Sequence, residues 1–325
     1  MSYHEVVENP KNFDFNVERL GECRVASPLK PTHLSPEEIK GLFVGDDRIL
    51  LSREVKDVRR HVEEFGGTPS LEKAGPRSQI YHDPTWARAA IVTCGGLCPG
   101  LNNVIKGLVQ SLWFDYGVRT IYGIRYGYQG LVPGFHHPPL LLDPDFVDGI
   151  HEMGGTILGS SRGRQDPKEM VDTLQRMNIS MLFTIGGDGT LRGAQSIVDE
   201  IKRRGLAISV VAVPKTIDND LQFTDRTFGF ESAVYETFDV ITAAHMEANG
   251  AHNGIGLVKL MGRDSGFIAA YASLANSVVN ICLIPEVPFT IEGENGLLRA
   301  IERRWKQGKS HMVIVVAEGA GQDLI

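Results

Sequence analysis

Residues 181–190 read MLFTIGGDGT, and this stretch indicates how the chain folds. It begins as a short apolar, β-prone run, ends among glycines and is followed by a helical pattern. Such a strand–turn–helix corner is typical of phosphate-binding sites, because glycines let the backbone approach a phosphate closely. Asp188 is poorly explained as a turn residue alone, whereas a carboxylate beside a phosphate loop suits a bridging Mg²⁺. We therefore interpret Asp188 as a functional residue.

Six further apolar runs resemble this strand. They lie at 89–93, 120–124, 209–213, 256–260, 281–284 and 311–316. Helical patterns separate them: one has Ala194, Ile197, Val198 and Ile201 on one face and ends in three cations and Gly205. Similar stripes cover 231–248 and 296–306. Apolar strands that alternate with helices predict an α/β fold with Rossmann-like parallel sheets and flanking helices, in which ligands bind at the carboxyl ends of the strands.

The composition is that of a globular protein and excludes several classes. The 325 residues carry a net charge of −7, which argues against a nucleic-acid-binding protein. There is no signal-peptide pattern, and no apolar run approaches the ~20 residues of a membrane span. The four cysteines lack the spacing of a zinc site, since no second ligand pair follows Cys94 and Cys98. We expect reduced thiols and a cytoplasmic protein.

The first 87 residues differ from the rest of the chain. They are polar, weakly periodic and interrupted by prolines at 28, 31, 36 and 76. We expect this segment to form an N-terminal arm or a subunit-contact layer instead of a core domain.

Two glycine-rich segments follow the predicted strands of the amino-terminal half. Residues 93–103 read TCGGLCPGLNN, and residues 154–163 read GGTILGSSRG. The first could be a tight strand-to-helix turn or a phosphate loop. The second offers two hydroxyls and Arg162, whose planar cation suits phosphate oxygens, although a loop with a solvated arginine would look the same.

The segment PKTIDND at 214–220 places two carboxylates after a strand. In an extended chain Asp218 and Asp220 point to the same side and Asn219 to the other. Two carboxylates on one side, with Lys215 and Thr216 nearby, suit a site in which one of them accepts a hydroxyl proton. The alternative is an Asx turn with solvated acids, which the position after a buried strand makes less attractive.

Two further motifs stand at the ends of the predicted strands 256–260 and 311–316. KLMGRDSG at 259–266 contains Arg263, which could bind a phosphate or cap a strand end, and Glu318 could accept sugar hydroxyls. There is no Walker A motif, because the Gly308-Lys309-Ser310 triplet lacks the upstream glycine and follows a helix. Chemistry on a nucleoside triphosphate would need a different phosphate loop.

Together, these motifs resemble the phosphofructokinases, in order, over roughly residues 88 to 325. The combination of GGDGT, PKTIDND and MGR is specific to that family. The wording of TCGGLCPGLN, GGTILGSSRG and VKLMGRDSGFIA is most similar to its plant and kinetoplastid branch, which also has an N-terminal extension. The resemblance implies phosphorylation of fructose 6-phosphate at its 1-hydroxyl, a step of glycolysis, by in-line transfer.

The resemblance also implies roles for the matched positions. Nucleotide contacts are expected from Gly95, Gly96, Arg162, Gly163, Gly187, Asp188, Gly189 and Thr190, with Asp188 also serving Mg²⁺. Sugar contacts are expected from Thr216, Ile217, Asp218, Met261, Gly262, Arg263 and Glu318. The residues expected to be catalytic are Asp218 as proton acceptor, Asp220 in support of it and Arg162. The implied division is an arm at 1–87, an ATP domain at 88–229 and a sugar-phosphate domain at 230–325, with the active site between the two domains.

The phosphoryl donor is expected to be ATP. Lys215 is typical of pyrophosphate-dependent relatives, which however usually have an aspartate where this chain has Gly189. A carboxylate at that position would repel the α-phosphate of a nucleotide, so glycine leaves an ATP site open. Gly189 together with Lys215 occurs in the ATP-using plant and kinetoplastid branch.

Other implications of the resemblance concern the subunit and the chain end. Many bacterial members have an arginine where this chain has Gly254, for which Lys259 could substitute, and members form dimers or tetramers. Members also continue beyond the position of Ile325, so the sugar-phosphate domain is expected to be incomplete here. A pyrophosphate-dependent enzyme is the nearest alternative, and a non-catalytic subunit or fragment is another. A lipid- or NAD-kinase-like enzyme would leave PKTIDND and MGR unexplained.

Overall fold

The computed structural model describes residues 3–29 and 35–324, in two compact units. The first unit contains residues up to 97 and residues 101–213, and the second contains residues 98–100 and those from 214 onward. The division that we predicted from sequence, with boundaries after residues 87 and 229, stays a prediction.

The described residues among the first 87 form short elements and one small apolar cluster. The helices are α1 (Tyr3–Glu8), α2 (Pro36–Leu42) and α3 (Val55–Phe65), with a 3₁₀ turn at Pro10–Asn12. Strand β1 (Val25–Ala26) pairs antiparallel with β4 (Gln79–Ile80), and β2 (Arg48–Leu50) pairs antiparallel with β3 (Ser70–Glu72). Val6, Val7 and Leu51 are buried together.

A five-stranded sheet forms the centre of the first unit. Its strands are β5 (Arg88–Thr93), β6 (Thr120–Ile124), β7 (Leu140–Leu142), β8 (Met181–Gly186) and β9 (Ser209–Pro214), in the order β7-β6-β5-β8-β9. Strand β5 pairs parallel with both β6 and β8, and β7 pairs antiparallel with β6. The helices are α4 (Leu101–Gln110), extended by a π turn at Ser111–Asp115, α5 (Pro167–Arg176) and α6 (Asp188–Arg204). Short 3₁₀ segments lie at Gly127–Leu131, Pro133–Phe135 and Ile150–Glu152.

The second unit has a three-stranded parallel sheet. Its strands are β10 (Gly254–Leu260), β11 (Ile281–Leu283) and β12 (His311–Ala317), with β12 in the middle. The helices are α7 (Phe230–Gly250), α8 (Phe267–Ala275) and α9 (Leu297–Lys306), and a 3₁₀ turn follows at Gln322–Leu324. Apolar side chains of α7, α8 and the sheet form the core.

The seven predicted strands are confirmed within two residues at each end, and the fold is α/β. The helix that we predicted to end at Gly205 does so, with that glycine at φ +64° as the left-handed cap. The predicted parallel sheets are confirmed, and the first unit adds β7 as an antiparallel edge strand that we did not predict. Its three leucines are too few to show a periodicity. No helix among the described residues has the length and apolarity to span a membrane.

Candidate functional site

The glycine loop at 154–163 lies against the carboxyl end of β5. Thr93 Oγ1 donates a hydrogen bond of 2.7 Å to the Gly159 carbonyl, and the Gly95 amide donates one of 3.1 Å to the Ser161 carbonyl. Ser160 Oγ returns a bond of 2.6 Å to the Gly95 carbonyl. These three bonds explain why two glycine-rich segments that are 60 residues apart in the sequence form one surface.

Asn102, in the first turn of α4, fastens the other side of this loop. Its side chain is 2% exposed; Nδ2 donates to the Met153 carbonyl at 3.1 Å, and Oδ1 accepts from the Ile157 amide at 2.9 Å. Our sequence analysis did not single out Asn102. The sequence feature that could have indicated it is a polar residue in the first turn of a helix, directly after a glycine turn. Side chains at such positions often form hydrogen bonds with nearby backbone groups.

Arg162 lies next to the turn that follows β5. A Cβ at Gly96 would stand 3.6 Å from Arg162 Nη2, and the Arg162 side chain is exposed. Gly163 has φ +99°, a conformation that favours glycine. The first unit therefore brings together Gly95, Gly96 and Arg162, a planar cation beside a backbone without side chains, which suits phosphate oxygens.

The corner between β8 and α6 presents Asp188 at a helix N-terminus. The amides of Thr190 and Leu191 bond the Gly187 carbonyl, so that Asp188 and Gly189 form an exposed first turn. Thr190 is buried, and its carbonyl accepts a hydrogen bond of 2.8 Å from the Tyr128 hydroxyl. Among the described residues there is no cluster of three or more potential metal ligands. One exposed carboxylate, that of Asp188, could hold Mg²⁺ in the way that is common in kinases, where substrate phosphates and water would supply the other ligands.

Cys94 and Cys98 are both buried. Burial raises the pKa of the Cys98 thiol to about 11, despite the nearby Lys215 cation, which lowers it. The Cys98 Sγ lies 3.2 Å from the Phe228 carbonyl, as expected for a weak S–H donor. Cys98 is therefore a protonated, structural residue at neutral pH.

The segment 214–220 in the second unit is folded, so that our expectation of an extended chain was wrong. Asn219 is left-handed, with φ +56°, and the Asp218 amide donates to Thr216 Oγ1 at 3.0 Å. The Thr216 hydroxyl lies 2.9 Å from Asp220 Oδ1 and 3.4 Å from Asp218 Oδ2. The two carboxylates do face one hydroxyl, as we expected. They do so because the chain turns at Asn219, and not because side chains alternate along an extended strand.

Asp218 is the buried member of this pair. It is 7% exposed, whereas Asp220 is exposed. Burial, followed by repulsion from Asp220, raises the pKa of the Asp218 carboxyl above its ordinary value, although the Arg263 cation opposes this. Arg263 Nε lies 3.6 Å from Asp218 Oδ2. An aspartate with a raised pKa beside a cation is a candidate general base.

The turn after β10 is fixed by Glu318. Its Oε1 accepts hydrogen bonds from the Gly262 amide at 3.2 Å and from the Arg263 amide at 2.7 Å. Arg263 has φ +51°, an uncommon conformation for a residue with a Cβ, and its side chain is 68% exposed. The carboxylate of Glu318 thus holds the backbone from which the Arg263 guanidinium projects.

The remaining residues of the predicted sugar site differ from one another in their exposure to solvent. Met261 is exposed, whereas Ile217 is half-buried against the apolar core of the second unit. Lys259 is exposed, and Gly254 lies so close to the Ala248 carbonyl that a Cβ would collide with it. Sequence reasoning missed two residues of this region: Ser265, whose hydroxyl bonds the Asp218 carbonyl at 3.0 Å, and Glu286, which accepts from the Gly266 amide at 2.8 Å.

The predicted site residues thus form two sets. The first unit holds those expected to contact the nucleotide: Gly95, Gly96, Arg162, Gly163, Gly187, Asp188, Gly189 and Thr190. The second unit holds those expected to contact the sugar or to act in catalysis: Thr216, Ile217, Asp218, Asp220, Met261, Gly262, Arg263 and Glu318.

Comparison with known proteins identifies similar sequences over most of the chain. The phosphofructokinase family matches residues 88–324. An "ATP-dependent 6-phosphofructokinase" from Borreliella burgdorferi is 51% identical over 96% of this chain and 70% of its own length. One from Trypanosoma brucei brucei is 53% identical over 95% of this chain and 62% of its own length. "ATP-dependent 6-phosphofructokinase 7" from Arabidopsis thaliana is 53% identical over 92% of this chain and 61% of its own length. The chain therefore spans between 61% and 70% of the length of these relatives.

Solved structures show the same similarity at lower identity. Phosphofructokinase from Saccharomyces cerevisiae matches with a TM-score of 0.60 and 26% identity, over 72% of this chain and 34% of that one. The pyrophosphate-dependent phosphofructokinase from Marinobacter aquaeolei matches with a TM-score of 0.59 and 25% identity, over 72% of this chain and 61% of that one.

Proposed function

Because the chain belongs to the phosphofructokinase family, we propose that it transfers the γ-phosphoryl group of MgATP to the 1-hydroxyl of D-fructose 6-phosphate. The products are fructose 1,6-bisphosphate and ADP, and the activity is that of a 6-phosphofructokinase of glycolysis. The observation that carries this proposal is the Asp218 carboxylate: it is buried, has a raised pKa and lies 3.6 Å from the Arg263 guanidinium.

Asp218 accepts the proton of the 1-hydroxyl as the hydroxyl oxygen forms a bond to the γ-phosphorus. The bond between that phosphorus and the β–γ bridging oxygen breaks, and ADP leaves with the electron pair. Asp220 shares the Thr216 hydroxyl with Asp218 and raises the proton affinity of Asp218 by like-charge repulsion. A base with such a pKa accepts a proton more readily than an ordinary aspartate does.

The cations and amides of the two units have separate duties. Arg162 and the amides of the Gly95–Gly96 turn bind nucleotide phosphates, together with the first turn of α6, whose dipole favours an anion. Arg263 binds the sugar phosphate, while Met261 and the Glu318-fixed turn orient it. Asp188 would hold Mg²⁺, which neutralises charge on the transferred group.

The donor is ATP, and the similarity to relatives named ATP-dependent at about 50% identity supports this choice over pyrophosphate. Gly189 supports it independently. It is exposed in the first turn of α6, and a Cβ at this position would have nothing within 4 Å. No side chain at this position crowds or repels the α-phosphate that a nucleotide has and pyrophosphate lacks.

We also propose a domain division, a cellular compartment and an oligomeric state for the protein. The chain divides into an arm at 1–87, a nucleotide domain at 88–229 and a sugar-phosphate domain at 230–325. The protein acts in the cytoplasm and forms a homo-oligomer of two or four copies. Light scattering coupled to size-exclusion chromatography tests the last of these, since a monomer at micromolar concentration would contradict it.

A coupled spectrophotometric assay of a form of the protein as long as its relatives tests the activity, with aldolase and its auxiliary enzymes reporting fructose 1,6-bisphosphate. We expect turnover with MgATP and fructose 6-phosphate that exceeds turnover with magnesium pyrophosphate at least tenfold. A preference for pyrophosphate would overturn the choice of donor, and turnover of this longer form with neither donor would overturn the proposed activity.

A further inference from the structure

Asn219 occupies an unusual position between the two carboxylates. It has φ +56°, in the left-handed region, and is 8% exposed. Few residues other than glycine adopt this conformation, and asparagine is the most tolerant of them. Because such backbone conformations cluster at functional sites, the position invites a functional explanation.

Both ends of the Asn219 amide are hydrogen-bonded to a later part of the chain. Oδ1 accepts from the Thr227 amide at 2.9 Å, and Nδ2 donates to the Asp225 carbonyl at 3.3 Å. Thr227 is buried and precedes Phe230, which is fully buried in the core of the second unit. The amide therefore closes the loop between 219 and 227 and connects it to the core.

The residues on either side of Asn219 are also fixed, but by other groups. The Asp218 carbonyl accepts from Ser265 Oγ at 3.0 Å, and the Asp218 amide donates to Thr216 Oγ1 at 3.0 Å. Thr216 Oγ1 in turn lies 2.9 Å from Asp220 Oδ1. The left-handed turn at Asn219 directs Asp220 back towards this hydroxyl, whereas an extended residue would direct the chain away from it.

We propose that Asn219 is a positioning residue for phosphoryl transfer. Its left-handed backbone and its side-chain amide, which makes two hydrogen bonds, keep the Asp218 and Asp220 carboxylates within hydrogen-bond distance of the Thr216 hydroxyl. This proposal rests on the proposed function, since it assigns Asn219 to the placement of the same base. Asn219 acts through Asp218 and Asp220 and does not itself take a proton.

Three substitutions separate the backbone contribution from that of the amide. Asn219→Gly keeps access to positive φ but removes both hydrogen bonds; Asn219→Asp keeps the acceptor for the Thr227 amide and removes the donor. Asn219→Ala removes both bonds and also disfavours the turn. We expect kcat to fall roughly tenfold for glycine, less for aspartate and more than tenfold for alanine, while KM for ATP changes less than twofold.

Asn178 provides a matched control, because it is also left-handed, at φ +53°, but exposed after α5 in the first unit. Asn178→Gly should leave kcat and both KM values unchanged. Circular dichroism shows that each variant is folded at the assay temperature. If Asn219→Gly retains the wild-type kcat, or if alanine is no worse than glycine, the proposal is overturned.

A readout without turnover distinguishes this proposal from the proposed function. Carbon-13 NMR of labelled aspartate follows the titration of the Asp218 carboxyl, assigned by its loss in Asp218→Asn. In Asn219→Gly we expect this titration to move to lower pH, since a loosened loop admits water to the carboxyl. An unchanged titration overturns the positioning role, even if the wild-type chain transfers no phosphoryl group.

Discussion

The Asp218 carboxyl is less exposed than that of its neighbour Asp220, and this difference suits it to accept a proton. Asp218→Asn keeps the shape but removes the base, and we expect kcat to fall by about 10²–10⁴ with little change in ATP affinity. Steady-state kinetics with the coupled assay measure this. A kcat within a few-fold of wild type would exclude Asp218 as the base.

The raised pKa of Asp218 also predicts a pH dependence. Only the ionised carboxylate accepts a proton, so that kcat/KM for fructose 6-phosphate should fall as the pH falls through a pKa above the ordinary value of about 3.9. Because the folded-state pKa is raised, ionised Asp218 destabilises the fold at higher pH. Asp218→Asn should therefore raise the free energy of unfolding at pH 7 in urea titrations, and this gain should disappear below the unfolded-state pKa.

Gly189 is the second position at which one residue is expected to decide the chemistry. Gly189→Asp places a carboxylate in the first turn of α6, where it would repel a nucleotide phosphate. We expect kcat/KM for ATP to fall at least tenfold while KM for fructose 6-phosphate changes little. Gly189→Asn is the matched uncharged control and should show a smaller loss; an equal loss in both variants would attribute the effect to bulk and not to charge.

At the scale of elements, the corner between β8 and α6 depends on a close approach. A Cβ at Gly186 would stand 2.6 Å from Thr190 Cβ, and Thr190 is buried, so that the first turn of α6 would have to move. We expect Gly186→Ala to destabilise the protein by about 1–3 kcal/mol, as overpacking does, and to weaken ATP binding.

A glycine in α4 provides a control for Gly186→Ala, because the same change to alanine is expected to stabilise the protein there. Gly107 is exposed within the helix, and a Cβ there would have nothing within 4 Å. Gly107→Ala should stabilise the protein by about 0.5–1 kcal/mol because alanine loses less entropy in a helix. Urea unfolding of both variants measures the contrast, and two changes of the same sign would contradict our account of the corner.

Helices α5 and α6 are joined by a carboxylate network. Glu200 accepts 2.6 Å bonds from Arg203 Nη2 and Arg204 Nε, and Arg204 also pairs with Asp172 on α5. Hydrogen bonding from Arg203, above all, lowers the pKa of Glu200 to about 2. Since the folded-state pKa is lowered, this contribution to stability is present above the unfolded-state pKa of about 4.3 and is lost as the pH falls towards 2.

Glu200→Gln tests whether the ionised Glu200 carboxylate stabilises the fold above its unfolded-state pKa. Between pH 5 and pH 3, the free energy of unfolding of wild type should fall more steeply than that of the variant, in parallel urea titrations. Glu231 provides a control, because it pairs with Arg226 but both side chains are exposed. Glu231→Gln should leave the pH dependence unchanged. Equal slopes for wild type and Glu200→Gln would contradict the assigned network.

At the scale of the whole molecule, the net charge of −7 disfavours anionic substrates at long range. We therefore expect substrate binding to come from local groups, such as Arg162, Arg263 and the amides at the start of α6. Saturating MgATP should raise the melting temperature, by an amount equivalent to about 2.7 kcal/mol at a hundredfold excess over Kd. Differential scanning calorimetry measures this shift, and a larger shift with magnesium pyrophosphate at equal free concentration would contradict the choice of donor.

The sequence by itself determined the elements and the chemistry of the motifs. Strand β6 was predicted at its observed bounds, and α6 ends at Gly205 as expected, because apolar runs, helix-end cations and glycine act locally along the chain.

Only the tertiary structure decided how the polar groups meet. The edge strand β7 depends on pairing with β6, and Glu318 bonds amides some 55 residues earlier in the chain. The Thr227 amide closes the turn at Asn219 from eight residues further along the chain, and this turn is what brings Asp218 and Asp220 to one hydroxyl. Hydrogen bonds between distant segments form only after the chain has closed its loops and excluded water, and a local pattern carries no record of them.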